Sequence, residues 1–69
     1  MSDVTVFARN VAAARANRRL SQTQVSSRSG VHVTEVSRIE RGLRDPRLTT
    51  IVRLARALEI KPAQLFDGL

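Results

Sequence analysis

Cysteine, tryptophan and tyrosine are absent from this 69-residue chain, which has one histidine and two phenylalanines. Without cysteine there is neither a disulfide framework nor a thiolate metal site. His32 stands alone, with no carboxylate cluster to complete a ligand set, so no metal and no cofactor are expected. Two phenylalanines are too few to build a platform on which single-stranded nucleic acid stacks. No apolar run approaches the roughly 18 residues of a membrane span. The opening MSDVTVFARN also lacks the charged, apolar, small-residue order of a signal peptide. An intracellular, cytoplasmic protein with no membrane partner is the expectation. Serines are plentiful, but one histidine and no pocket-sized core do not make a hydrolase, and no enzyme activity is expected.

Positive charge and short helical periods are what the chain does have. Eleven arginines and one lysine face six acids, a net charge of +6 that favours a polyanionic partner. With stacking residues scarce, duplex DNA is the better candidate among nucleic acids. The length allows a single domain, residues 1–69, near the lower size at which a core holds a fold without staples. Helix packing must supply the stability.

Ser21 to Gly42, SQTQVSSRSGVHVTEVSRIERG, organises the rest. Ser21 followed three residues later by Gln24 is a capping-box pattern, and Leu20 with Val25 is placed as a hydrophobic staple. Gly30 suits the left-handed position that ends a helix. A second helix is predicted over 33–41, with Val36 and Ile39 on one face and Val33, Thr34, Ser37, Arg38 and Arg41 on the other. Two helices joined by a tight Gly turn form a helix-turn-helix unit, whose second helix can enter a major groove.

Around this unit, Ser2 or Asp3 can cap a first helix running to about Asn17 or Arg18, with Phe7, Val11 and Ala14 as its buried stripe. RGLRDPRL reads as a loop. A fourth helix is predicted over 48–58, the deepest of the set, with Leu48, Ile51, Leu54, Ala55 and Leu58 at intervals of three and four. Pro62 suits the first position of a short fifth helix. The fold class expected is all-α with five helices.

Residue chemistry then assigns roles. Arg38 matches the two acceptors on guanine's major-groove edge, and the methyls of Val33 and Thr34 suit thymine. Ser37 fits either groove or backbone. Glu35 would repel phosphate and is expected to lie along the groove wall or turn toward Arg38. Gln22, in the first turn of its helix, suits a phosphate. Arg41, Arg44 and Arg47 follow the recognition helix and would lie beside flanking phosphates, with His32 at the DNA-facing helix start joining them. Ile60, Leu65, Phe66 and Leu69 cluster near the C-terminus and are expected to form a homodimer interface.

LSQTQVSSRSGV, VSRIERGLRDPRL and LARALEI together resemble the phage repressor and Cro-like (XRE-like) family of helix-turn-helix regulators over residues 7 to 66. The resemblance implies operator binding, usually as a dimer on a near-palindromic site, in a bacterial or phage-encoded, nucleoid-associated protein. It also implies that Gln22 holds the DNA backbone and that Arg15 and Glu40 form an interhelical ion pair. A transcriptional regulator, read as a repressor, is the functional expectation. An autoregulatory controller of a restriction-modification or toxin system, or an adaptor on the same fold that binds nucleic acid without sequence preference or binds protein, are the alternatives. Departures from the family pattern fall at four positions. Ser26 replaces a usual alanine, and His32 and Arg47 replace usual Ser or Thr caps, which should leave two helix starts less well satisfied. Glu59 replaces a frequent glycine, at a cost of about 1 kcal/mol if that position is left-handed.

Overall fold

The computed structural model describes residues 1–69 and is all-helical. Four α-helices, α1 (Asp3–Asn17), α2 (Gln22–Ser29), α3 (Val33–Glu40) and α4 (Leu48–Ala57), are followed by a 3-10 turn, Pro62–Phe66. The fifth helix is therefore a single five-residue 3-10 element with Pro62 in its first turn, a length at which that tighter winding is common.

Local chemistry sets most of the boundaries. Ser2 caps α1 by accepting from the Thr5 N–H at 3.1 Å. At α2 the full capping box is present: Ser21 Oγ accepts from Gln24 N–H at 3.0 Å, and Gln24 Oε1 accepts from Ser21 N–H at 2.8 Å. Leu20 and Val25, the staple pair, are both buried.

The helix ends share one device, a left-handed residue. Gly30 (φ 74°) and Gly42 (φ 73°) are the expected glycines, but Arg19 (φ 55°) and Glu59 (φ 57°) do the same work with side chains. At three of these ends the next residue's N–H reaches back to a carbonyl five residues earlier: Leu20 to Arg15, Leu43 to Arg38 and Ile60 to Ala55, at 3.2, 3.0 and 3.0 Å. That is the Schellman pattern, which satisfies orphan carbonyls and turns the chain back on the bundle. The left-handed condition at Glu59 thus holds, and the same strain is also present at Arg19.

All four helices and the last turn contribute to one core. Its fully buried side chains include Val11, Val25, Val36, Leu54, Leu58 and Leu65, each at 0% exposure. Burial of a side chain of this size contributes about 1.5–3 kcal/mol. Phe7 and Val11 of the α1 stripe are buried, with Ala14 partly so. Leu48 corrects the α4 stripe: it is 74% exposed, while Ile51 is partly buried and Leu54, Ala55 and Leu58 are fully covered.

The last turn is held onto α1. Phe66 lies beside Phe7 with ring centroids 5.8 Å apart. Asn10 Nδ2 donates to the carbonyls of Leu65 and Asp67 at 2.9 and 2.8 Å. Leu65 therefore closes the core and has no surface to offer a second copy, which removes it from the expected dimer interface. Ile60 is partly buried against the same core, leaving Phe66 (40% exposed) and Leu69 (58%) as the open apolar groups of that cluster.

Candidate nucleic-acid interface

α3 presents its residues by helical period. Val36 and Ile39 are buried, at 0% and 1% exposure, in the core, and α3 packs against α1 and α2. Thr34, Arg38 and Arg41 are consequently exposed, with Val33 and Ser37 half-buried at the edges of that face. Val33 is thus more enclosed than a freely projecting base reader, and Thr34 and Arg38 have the open positions.

His32 caps α3 with its own side chain: Nδ1 accepts from the Thr34 N–H at 3.1 Å. This corrects the expectation that a histidine leaves the helix start unsatisfied, because a neutral imidazole has one acceptor nitrogen. At α4 the expectation stands, since Arg47 makes no side-chain cap. His32 itself is exposed.

The start of α2 meets the end of α3 through a shared carboxylate. Arg15 donates twice to Glu40, Nε to Oε2 at 2.7 Å and Nη2 to Oε1 at 2.9 Å, and Nη1 reaches the Leu20 carbonyl at 2.9 Å. Glu40 Oε1 also accepts from Gln22 Nε2 at 3.2 Å. The side chain of Glu40 is only 6% exposed and that of Arg15 24%. The hydrogen bonds to Glu40 push Arg15 toward its charged form, partial burial opposes this and the charge of Glu40 adds to it. One amide hydrogen of Gln22 is thereby engaged within the protein. The backbone N–H groups at this helix start and the second amide hydrogen are the donors that suit an anion.

The loop after α3 carries the remaining cations. Arg44 Nε lies 3.2 Å from Glu35 Oε1, so Glu35 turns to Arg44 and not to Arg38. Arg41 Nε donates to the Ser37 carbonyl at 3.4 Å. Only Arg15, Arg18, Arg28 and Arg44 have carboxylate partners. Arg38, Arg41 and Arg47 are exposed and form no ion pair.

Two features escaped sequence reasoning. Glu59 holds both Arg18 and Arg28 at 3.6 Å, and its carbonyl accepts from Arg18 Nη2 at 3.0 Å. Val31, in the turn between the two helices, is buried at 8% exposure. A hydrophobic residue directly after the Gly30 stop was the available signal for Val31; nothing local pointed to the Glu59 contacts.

No group of three or more His, Cys, Asp or Glu side chains is placed to hold a metal, and no helix is long and apolar enough to cross a membrane.

Residues 11–65 match the family described as "Helix-turn-helix". The chain is similar to an uncharacterised HTH-type transcriptional regulator of Sinorhizobium fredii, 43% identical over 49 residues, covering 71% of this chain and 25% of that protein. It spans about a quarter of that relative's length. Among solved structures it is similar to the restriction-modification controller protein C.AhdI from Aeromonas hydrophila. The TM-score is 0.92 at 35% identity, over 96% of this chain and 100% of that one. It is also similar to the hypothetical transcription factor NHTF from Neisseria, with a TM-score of 0.89 and 31% identity, over 94% of this chain and 75% of that one.

Proposed function

The chain belongs to the helix-turn-helix family of transcriptional regulators, and on that footing we propose that it reads a double-stranded operator with α3. The observation that carries the reading is the division of α3: Val36 and Ile39 anchor it in the core, while Thr34, Arg38 and Arg41 are exposed and neither arginine has a carboxylate partner. Arg38, with Thr34 and the edge residues Val33 and Ser37, supplies the contacts to base edges. Gln22, His32, Arg41, Arg44 and Arg47 hold the flanking phosphates, contacts that fix register on the duplex.

Binding as a homodimer to a near-palindromic site is part of the proposal. Occupancy near a promoter then blocks polymerase, which makes the protein a repressor. Catalysis has no place in this mechanism. The resemblance to a restriction-modification controller along that protein's whole length supports the narrower reading of an autoregulatory controller, whose operator would lie beside its own gene.

Arg38→Ala is the decisive variant. It is expected to weaken binding to the preferred site by roughly 1–3 kcal/mol and to relax discrimination at one base pair, with much less effect on random DNA. Equal losses on preferred and random DNA, measured at one salt concentration, would reduce Arg38 to a phosphate contact and overturn its role as a reader.

A further inference from the structure

Glu35 is the only open carboxylate on α3, because Glu40 is enclosed by Arg15 and Gln22. A negative charge in the first turn suits the helix dipole but faces the wrong way toward a polyanion. In the structure it is neutralised by Arg44, 3.2 Å away, with the two side chains 34% and 46% exposed. An ion pair so open to water is weak and readily exchanged.

Each partner has a better-matched alternative on duplex DNA. A carboxylate only accepts hydrogen bonds. In the major groove, guanine presents O6 and N7 and thymine presents O4, all acceptors that repel it; adenine sets its N6 amino donor beside the N7 acceptor, whereas cytosine offers an N4 amino donor with no acceptor on its own edge. Glu35 sits in the first turn of α3, the part of a recognition helix that reaches base edges first. Arg44 lies in the loop beyond the other end of α3, where a backbone phosphate can receive it.

We infer that Glu35 and Arg44 form an exchange pair that reads a cytosine: Glu35 leaves Arg44 to accept from cytosine N4, and the released Arg44 takes a neighbouring phosphate. At a site without that cytosine the pair stays closed, so one base pair controls two contacts. This rests on α3 entering the major groove.

Selection of bound sites from a random duplex pool, run with the wild-type chain and with Glu35→Gln, tests it first. The wild-type pool should hold a cytosine at one position that the variant pool loses or replaces by adenine, the base a carboxamide recognises. The second arm measures affinity against salt for the wild-type chain and Arg44→Gln. On the selected site the logarithmic slope should be shallower for the variant by about 0.9, the loss of one phosphate contact. With that single C·G pair replaced, the two slopes should coincide. A Glu35→Gln pool identical to wild type, or an equal slope change on both sites, overturns the exchange and leaves α3 reading intact. A wild-type pool with no enriched sequence overturns operator reading itself, and this inference with it.

Discussion

Glu40 receives donors from two helices while almost enclosed, so its loss is felt mainly through what it leaves behind. Glu40→Ala would strand a guanidinium that is still one-quarter exposed. We expect a cost of about 2–3 kcal/mol, at or just below the range for breaking a buried pair because water reaches Arg15. Urea unfolding checks it, and a fully tolerated Glu40→Ala would dismiss the pair as a stabilising element. The Arg15 titration is shifted upward. A cation raised in the folded state contributes stability that is whole below its unfolded value and is lost only as pH climbs through the folded one. For arginine that window lies beyond the alkaline end of ordinary assays, so Arg15 adds no step to the stability curve within them. Glu59 poses the opposite balance. Its left-handed backbone costs about 1–2 kcal/mol, against two exposed pairs of about 0.2–1 kcal/mol each. Glu59→Gly should remain within about 1 kcal/mol of wild type, whereas Glu59→Ala, which keeps the strain and loses the pairs, should fall below both. A Glu59→Gly chain melting well below wild type, close to Glu59→Ala, would mean that the pairs with Arg18 and Arg28 outweigh the strain.

At the scale of the elements, α3 depends on its first turn. The His32 cap is a single hydrogen bond to Thr34, and His32→Ala should cost about 1 kcal/mol, with His32→Asp or His32→Ser keeping most of it. Equal stability of the alanine and aspartate variants would show that the cap is idle. The helices were legible where short-range chemistry decides: Ser21 with Gln24, the Gly30 and Gly42 stops, and Val36 with Ile39 as the inward face of α3. Leu48 was misread because a period of three and four tells which face is apolar, not how far along a helix its neighbours extend. The last turn has a helical pattern in the sequence, but the five residues Pro62–Phe66 wind more tightly. The exposure of Thr34, Arg38, Arg41 and Arg47 was legible from residue types at helical spacings. What could not be read were contacts between distant positions, such as Glu35 with Arg44 and Asn10 with the final carbonyls, which depend on how the helices meet.

For the whole molecule, size bears on stoichiometry. Its longest extent is 29 Å, short of the roughly 34 Å that separates successive major-groove faces. On the proposed near-palindromic operator one copy would then reach one half-site, and the site would take two. Phe66 and Leu69 are the exposed apolar groups at the C-terminal end that fit a two-fold contact. If that contact forms, Leu69→Glu should sediment as a monomer and bind a full site more weakly than wild type, while keeping the helical circular dichroism of the fold. A wild-type chain that is monomeric both free and on a full operator, one per site, would refute the dimer.

The seating of the last turn on α1, through Asn10 and the paired rings of Phe7 and Phe66, makes the chain nearly a closed circle. The first helix and the last residues lie against one another: Val6 Cγ1 is 3.7 Å from where a side chain on Gly68 would begin, and Ser2, Asp3 and Leu69 line one cleft. A short tether could join them with little added closure entropy, and the break could then be moved to a loop, giving a rearranged polypeptide with the same core. The bundle would tolerate such a cut just after Arg44, in the exposed loop between α3 and α4, better than between α1 and α2, where Leu20 is buried and its carbonyl holds Arg15.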